Sequence, residues 1–203
     1  VGNRTGVTYG GQTESYTLDD LNRVTAVDYT SGSDVSYTYD ANGNIATMTV
    51  GANTTTYTYD NADELTSDGT TTFEYDENGN LVEDGSDTFE YDYANQLTSA
   101  TVNSTTTDYT YDADGVRSTK ESTEYLYDRE SGPPTLVDDG TNAYLHEGGA
   151  LAAIDGSDDP SYLLGDALGS VRGVTDEAGD LVGTSSYNVY GEVRASSGVS
   201  TLF

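Results

Sequence analysis

A nine-residue pattern that returns along the chain constrains the fold more than any other feature. Its clearest copy, residues 37–45, reads Tyr-Thr-Tyr-Asp-Ala-Asn-Gly-Asn-Ile. Aromatic residues two positions apart point to one face of a β-strand, and aromatic side chains favour strands. An aspartate at the strand end accepts a hydrogen bond from the backbone two residues on and so begins a turn. The pattern therefore predicts a strand, a tight turn and a returning strand.

The residue three positions after the aspartate indicates the kind of turn. Glycine, asparagine and aspartate are the residue types that tolerate positive φ, and only these occur at this position. Successive copies have Asn22, Gly43, Asp63, Gly79, Asn95 and Gly115. The aliphatic residue two positions further on opens the returning strand, as in Val24, Ile45, Leu65, Leu81 and Leu97. Each copy is thus predicted to be a hairpin with one left-handed residue in its turn.

The spacing of the copies predicts how the hairpins join. Their first aromatic residues are Tyr16, Tyr37, Tyr57, Phe73, Phe89, Tyr109 and Tyr125, at intervals of 21, 20, 16, 16, 20 and 16. A difference of four adds two residues to each strand and keeps every side chain on its face. The interval of 21 breaks this rule, and its extra residue is assigned to the turn 30–34 or to a bulge. Because a lone hairpin is marginal in water, we expect an all-β array of antiparallel β-hairpin repeats in one continuous sheet, with the aromatic residues stacked across strands.

A change in the pattern divides the sequence into residues 1–132 with regular repeats and 133–203 with variant hairpins of the same sheet. At the division, Gly132-Pro133-Pro134 replaces the expected turn and strand start. A hairpin about Gly148-Gly149 and an acidic loop at 155–160 are predicted next. The turn pattern then returns three times, with an initial residue and a glycine three positions later: Asp166 and Gly169, Asp176 and Gly179, Asn188 and Gly191.

Charge is the dominant feature of the composition. The 203 residues carry 36 acidic side chains against seven Lys and Arg, a formal net charge of −29. Self-repulsion of this size destabilises a folded chain unless salt screens it, and the composition resembles that of proteins from extreme halophiles. The absence of a basic cluster argues against nucleic-acid binding. There is no cysteine, and no apolar run is long enough for a membrane span.

Few residues stand out as candidates for chemistry. His146 is the only histidine, and a solvated hairpin position explains it better than a triad or a metal site. Acidic pairs are numerous, so a glycosidase-type dyad has many candidates and no favoured one: Asp19-Asp20, Asp138-Asp139 and Asp158-Asp159. The loops that begin at Asp40 and Asp76 resemble calcium loops, but their glycine stands fourth and no Glu follows at the twelfth place. We therefore assign no catalytic, cofactor-binding or metal-binding residue and expect only weak, adventitious cation binding. Sequons at Asn3, Asn53 and Asn103 favour an exterior location weakly.

Several segments together resemble the Rhs/YD-repeat family, which includes toxin shells, wall-associated proteins and teneurin-like proteins. The repeat matches are segments 39–45, 75–81 and 111–117. More specific is Asp-Ala-Leu-Gly-Ser-Val-Arg at 166–172, followed by segments 175–182 and 187–192, which resembles the family's core signature. The resemblance implies a spirally wound sheet that forms a hollow shell and, in toxin members, sequesters a C-terminal polypeptide. No self-cleavage residue of the family has a counterpart here, and 203 residues imply an open strip of sheet or a fragment of a larger polypeptide.

These observations predict a structural YD-repeat scaffold, part of a larger extracellular or cell-surface protein, and not an enzyme. Its expected partners are the remainder of its own polypeptide, an encapsulated C-terminal toxin, and other copies that pair through exposed sheet edges. A cell-surface adhesion or filament component is the first alternative. A hydrolase that uses an acidic dyad is a distant one.

Overall fold

The structure, a computed structural model, describes residues 2–9, 11–130, 132–147, 150–154, 159–166 and 168–198. Within these residues it is all-β: 23 strands and no helix. The chain forms two compact units, residues 1–106 and 107–203. The predicted fold class is confirmed, whereas the sequence division at residue 132 stays a prediction.

The first unit contains twelve complete strands joined by short turns. They are β1 Gly6–Tyr9, β2 Gln12–Leu18, β3 Val24–Tyr29, β4 Val35–Tyr39, β5 Ile45–Val50, β6 Asn53–Thr56, β7 Thr58–Tyr59, β8 Leu65–Ser67, β9 Phe73–Tyr75, β10 Leu81–Asp84, β11 Asp87–Tyr91 and β12 Leu97–Val102. The division between the units falls within the next strand, β13 Thr105–Tyr111.

The second unit continues with strands of similar length. They are β14 Arg117–Lys120, β15 Thr123–Glu124, β16 Leu126–Asp128, β17 Thr135–Asp138, β18 Ala143–Glu147, β19 Ala150–Ile154, β20 Pro160–Gly165, β21 Val171–Thr175, β22 Leu181–Tyr187 and β23 Val193–Gly198.

Strands pair with their neighbours in chain order, and every described pairing is antiparallel. In the first unit β1 to β6 form one six-stranded sheet, β7 pairs with β8, and β9 to β12 pair in sequence. In the second unit β13 to β15 pair in sequence, as do β16 to β23. The predicted hairpin array is confirmed. The predicted continuous sheet is interrupted between β6 and β7 and again between β15 and β16. An isolated bridge from Ser67 to Thr72 links β8 to the segment before β9.

The nine hairpins that turn at Asp19, Asp40, Asp60, Asp76, Asp92, Asp112, Asp166, Asp176 and Asn188, called Tyr-Asp hairpins here after their commonest sequence, each contain a β-bulge that the sequence pattern did not reveal. In the β4–β5 hairpin, Thr38 pairs with Thr47 but Tyr39 pairs with Ile45, so Ala46 is the extra residue. The same shift occurs at the sixth residue after the turn-initiating residue in eight further hairpins, at Thr25, Thr66, Val82, Thr98, Ser118, Arg172, Val182 and Arg194. Side chains alternate between the two faces of a strand, and the extra residue shifts this alternation by one position. The aliphatic residue after the turn therefore lies on the same face as the tyrosines.

The two faces of the strands differ in chemistry. One face carries the aromatic residues and is buried or half-buried; Val27, Val35 and Tyr37 form its core in the first unit, and Tyr144 and Val174 are buried in the second. The opposite face carries hydroxyl side chains that bond across strands, as between Thr38 and Thr47 at 2.7 Å and between Thr49 and Thr54 at 2.9 Å. The aromatic residues therefore share one face, opposite a face of threonine pairs, and the residues directly across from them are aliphatic at Val27, Met48 and Ala100. Stacking between the rings themselves stays a prediction.

Two local predictions concern the connections. The extra residue of the 21-residue interval lies in the long loop between paired residues Val27 and Val35, where Tyr29 N–H donates to the Asp34 carboxylate. The hairpin predicted about Gly148-Gly149 exists as the β18–β19 pair, although the two glycines lie outside the described residues. Residues 155–158 of the predicted acidic loop, including Asp158 of one acidic pair, also lie outside them.

Candidate functional site: the Tyr-Asp turns

One turn geometry recurs nine times among the described residues. The N–H of the first residue donates to the carbonyl four positions on, and the N–H of the third following residue donates back to the first residue's carbonyl. In the copy at Asp40 these bonds join Asp40 N to Asn44 O at 2.9 Å and Gly43 N to Asp40 O at 3.3 Å. The third following residue has positive φ in every copy, from 59° at Asn95 to 103° at Gly43. The predicted left-handed position is confirmed in all nine turns.

The aspartate side chain fills the centre of the turn. Asp40 Oδ1 accepts the N–H groups of Asn42, Gly43 and Asn44 at 2.8 to 2.9 Å. The same bond pattern to the second and fourth following N–H groups occurs at Asp60, Asp76, Asp92, Asp112, Asp166 and Asn188. One carboxylate oxygen of the turn is therefore used by the backbone, which explains why an acceptor side chain starts each copy.

The second carboxylate oxygen takes a side-chain donor. Arg23 Nε donates to Asp19 Oδ2 at 2.8 Å, Asn80 Nδ2 to Asp76 Oδ2 at 2.9 Å, and Arg172 Nε to Asp166 Oδ2 at 2.8 Å. The Asn80 side chain, followed by its backbone N–H, holds the pKa of Asp76 below its usual value. The Arg23 backbone N–H has the largest effect on Asp19 and lowers its pKa as well. These turns are therefore built around ionised carboxylates.

Glu64 is an exception among these donors. It stands where Asn44 and Asn80 stand in other copies, but an ionised carboxylate cannot donate to Asp60. Desolvation, followed by the charge of Asp60, raises the pKa of Glu64. This turn is therefore held less well at neutral pH than those with an amide at the same position.

These pKa shifts predict a stability maximum in mildly acidic solution. Five capping aspartates have lowered pKa values, namely Asp19, Asp40, Asp76, Asp112 and Asp166. Their contribution to stability is therefore complete above an unfolded pKa of about 3.9 and is lost as pH falls through their folded values. Glu64 has a raised pKa, so its contribution is complete below about 4.3 and is lost as pH rises through its folded value. Chemical unfolding in about 2 M KCl, where surface repulsion is screened, should show stability level or rising from pH 7 to about 5 and falling below about 4. Stability that still increases towards pH 3 would contradict the capping role of the aspartates.

The tyrosine before the turn ties neighbouring copies together. Tyr39 Oη donates to the Val24 carbonyl at 2.5 Å, and Tyr59 Oη to the Ile45 carbonyl at 3.0 Å. Tyr187 Oη donates to a carbonyl at the equivalent place in the second unit, that of Val171, at 2.9 Å. In each case the acceptor is the aliphatic residue that opens a preceding returning strand. The Tyr-Asp pair thus uses the tyrosine between copies and the aspartate within a copy.

Arginines lie against the tyrosine rings on the aromatic face. The Arg23 guanidinium carbon is 4.3 Å from the centre of the Tyr39 ring, and that of Arg117 is 4.8 Å from Tyr125. Arg172 lies 5.0 Å from the Tyr187 ring. Many of the few cationic side chains in this acidic chain are therefore engaged in cation–π contacts or in pairs with carboxylates.

The candidates for acid–base chemistry occupy structural positions. His146 is exposed, and its Nε2 lies 2.8 Å from the Leu136 carbonyl, which can only accept a hydrogen bond. Asp138 accepts the Gly140 N–H at 2.6 Å, and Asp139 accepts the N–H of Asn142 at 2.8 Å. The Asp138-Asp139 pair therefore begins and caps a turn and does not form a free dyad.

A shallow cleft of about 330 Å³ lies in the second unit, where the repeat pattern lapses. It is lined by Lys120, Glu121, Thr123, Tyr125, Asp139, Thr141 and Asn142. Tyr144 Oη donates to Asp139 Oδ2 at 2.5 Å, and desolvation followed by this bond raises the pKa of Tyr144 to about 12. Both Asp139 oxygens are thus already bonded, so the cleft offers no free carboxylate at that residue.

The loops that resemble calcium loops use their oxygens in the same way. Oδ1 of both Asp40 and Asp76 accepts backbone N–H groups, and their Oδ2 atoms accept amide donors from Asn44 and Asn80. Among the described residues no group of three or more His, Cys, Asp or Glu could hold a metal ion. The sequon residues Asn3, Asn53 and Asn103 are exposed.

Sequence reasoning missed the second-oxygen donors and the tyrosine–carbonyl bonds. The asparagine four residues after Asp40 and Asp76 was a visible signal for the first of these. The tyrosine–carbonyl bonds had no such signal in the sequence, because a tyrosine hydroxyl can donate a hydrogen bond in many directions.

Comparison with known proteins identifies the repeat. The family model described as Teneurin YD-shell matches residues 3–203. The chain is 15% identical to a chain of the Photorhabdus luminescens Tc holotoxin pore, with a TM-score of 0.44, covering 92% of this chain and 15% of that one. It is 14% identical to a chain of the TcdB2-TccC3-Cdc42 crystal structure, with a TM-score of 0.42, covering 93% and 15%. No curated protein matches in sequence, and the described residues contain no helical segment with the length and hydrophobicity of a membrane span. The chain thus spans about 15% of those solved chains, and the family match over residues 3–203 shows that it belongs to the teneurin YD-shell family.

Proposed function

We propose that the chain is a wall segment of a larger YD shell, carried by a secreted or cell-surface polypeptide, and that it performs no catalysis. The observation that carries the proposal is the ninefold recurrence of one closed turn between strands that pair in chain order. In these turns the polar groups that could support chemistry bond to the backbone or to neighbouring copies. Such an array builds surface area, as repeat proteins do.

The candidate acid–base groups support the non-catalytic part of the proposal. His146, Asp138 and Asp139 bond to main-chain groups of their own hairpins. A general base must be free to reach a substrate proton. Glycoside turnover that the double substitution Asp138→Asn and Asp139→Asn abolishes without unfolding the chain would overturn this part.

Enclosure of a C-terminal polypeptide, such as a toxin, is the role we propose for the complete shell. The support is the family match, together with an aromatic face that is only partly buried in this chain and a hydroxyl face on the other side. In a longer polypeptide that contains this chain, the C-terminal segment should resist protease while the wall is folded. It should lose that protection at the denaturant concentration that unfolds the wall, and Gly43→Val should move this loss to a lower denaturant concentration.

The isolated chain should associate through its sheet edges when salt screens its charge. β1 and β23 are terminal strands of the pairing order, and all of β23 is exposed. Exposed edges pair with available strands unless they are blocked. Sedimentation in about 2 to 3 M KCl, where the Debye length is below about 3 Å, should therefore show concentration-dependent oligomers.

A pair of proline variants tests whether β23 is the edge. Consecutive residues of an antiparallel strand direct their N–H groups to opposite sides, so only one of Ala195 and Ser196 donates towards β22. We expect one of Ala195→Pro and Ser196→Pro to preserve thermal stability and reduce association, and the other to destabilise the hairpin. Association left unchanged by both variants, or a monomer at every concentration, would count against the wall role. Unlimited growth into fibres would favour the filament alternative.

A further inference from the structure

Successive copies in the first unit alternate between two types at the third and fourth residues after the aspartate. Glycine copies have Gly then Asn, as in Gly43-Asn44 and Gly79-Asn80. Side-chain copies have Asn or Asp and then a long polar residue: Asn22-Arg23, Asp63-Glu64 and Asn95-Gln96. Gly2-Asn3 supplies the glycine-copy pair ahead of Asn22, so the alternation holds throughout the unit.

The asparagine of each glycine copy bonds to the next copy. Asn44 Nδ2 donates to Asp63 Oδ1 at 2.8 Å, and Asn80 Nδ2 donates to Asn95 Oδ1 at 2.9 Å. Asn3 Nδ2 and Asn22 Oδ1 form the equivalent bond at 2.5 Å. The acceptor is each time the side chain of the left-handed residue, so a glycine there would remove it.

A side-chain copy contacts the glycine copy that follows it in a different way. The long polar residue of the side-chain copy lies over the glycine of the next copy: Arg23 Nη1 is 3.9 Å from the place a Cβ would take at Gly43. Glu64 Oε1 is 3.0 Å from the corresponding place at Gly79. A Cβ at Gly79 would crowd the Glu64 carboxylate, whereas one at Gly43 would make only an ordinary van der Waals contact with Arg23. Gly169, Gly179 and Gly191 face open space.

The alternation also explains a choice that backbone sterics alone would not. Asn22, Asp63 and Asn95 adopt φ of 65°, 63° and 59°, where glycine carries no steric cost. The side-chain oxygen is the group that glycine could not supply. These residues therefore accept an unfavourable backbone conformation in order to receive the bond from the preceding copy.

We propose that the third and fourth turn residues form a recognition code between hairpins, so that the repeating unit of the wall is a pair of copies. A glycine copy is complemented by a copy with Asn or Asp at the third position, and that copy is complemented by a glycine copy. The partner recognised at each turn is thus another Tyr-Asp hairpin of the opposite type. The code rests on the wall role proposed above, since it specifies which hairpin lies beside which.

A double-mutant cycle on Asn80 and Asn95 tests the first half of the code. Asn80 also donates to Asp76 in its own turn, and the cycle separates this bond from the one between copies. Asn95→Gly keeps the backbone conformation but removes the acceptor. Chemical unfolding at fixed KCl gives the factor by which Asn80→Ala raises the unfolding equilibrium constant. We expect this factor to be about five times smaller in the Asn95→Gly background than in the parent chain. Asn78→Ala, on the same turn, should give additive effects with Asn95→Gly and serves as the control.

A matched pair of glycines tests the second half. Gly79 and Gly179 occupy the same turn position with φ of 82° and 83°, but only Gly79 has a side chain against its Cβ position. Gly79→Ala should be more destabilising than Gly179→Ala by about two- to threefold in the equilibrium constant, and Glu64→Ala should remove the excess. Additive behaviour in both cycles would overturn the code. Because the cycles measure coupling within one chain, that result is distinct from failure of edge association, which would overturn the wall role.

Discussion

Replacing Gly43 with valine should cost about 2 kcal/mol of stability, the largest effect expected from a single turn residue. Gly43 has φ of 103°, beyond the region that Asn and Asp occupy in the other turns. A β-branched residue is strained at positive φ, so the turn must open or distort. Distortion would also weaken the bonds from Gly43 N–H to Asp40, at 2.8 Å to Oδ1 and 3.3 Å to the carbonyl.

Thermal unfolding and amide exchange together measure the Gly43→Val effect. A loss of about 2 kcal/mol corresponds to a melting temperature about 4 to 8 °C lower for a chain of this length. Exchange should increase most in β4 and β5, the strands that this turn joins. Ala41→Val, an exposed position of the same turn, is the control for adding a branched side chain. An unchanged melting temperature with unchanged exchange would contradict the requirement for a left-handed residue at position 43.

Raising KCl from tenths of molar to molar should increase the melting temperature substantially. The chain carries a formal charge of −29. Several of its seven cations, Arg23, Arg129 and Arg172, are already paired with turn aspartates. The remaining carboxylates repel one another through solvent, and this repulsion is screened as the Debye length falls from about 10 Å at 0.1 M to about 3 Å at 1 M. The compact state gains more from screening than the expanded unfolded chain does.

Charge-reduced variants separate screening from general salt effects. Glu74, Glu90 and Glu124 are exposed on the hydroxyl face, so replacing all three with Gln should remove repulsion while leaving the turns intact. The triple variant should melt higher than the parent in dilute buffer and respond less steeply to KCl. A melting temperature that is flat across the range in the parent chain would remove the resemblance to halophilic proteins and leave the acidity unexplained.

The sequence predicted the turns because their causes are local. The aspartate, the residue tolerant of positive φ and the aliphatic strand start lie within six positions, and each has its own conformational reason. Asn22, Asp63 and Asn95 have positive φ although none of them is glycine. The correct criterion for the left-handed position was therefore any residue type that tolerates positive φ. The sequence pattern favoured no catalytic residue, and this stays a prediction; in the structure Asp139 and His146 bond to main-chain groups.

Features that depend on pairing between strands escaped the sequence reasoning. The bulge at Ala46 and its equivalents changes which residues oppose one another, and no residue type marks it consistently: the position holds Thr in three copies and Ala, Val, Ser or Arg in others. Thr25, Thr66 and Thr98 fit the bulge because their hydroxyls donate to carbonyls of the opposite strand. The interruption between β6 and β7 and the cleft near Asp139 arise from tertiary geometry in the same way.

Pairing in chain order has a kinetic consequence. Each Tyr-Asp turn closes its bonds within five residues, so a hairpin can form without waiting for any distant part of the chain. Contacts between sequence neighbours give low contact order, which speeds folding even in proteins made entirely of strands. In an array of this kind, nucleation can start at any copy and spread in both directions. A nascent chain could therefore acquire its hairpins one after another as they emerge during synthesis, and each completed hairpin would cover the edge that preceded it.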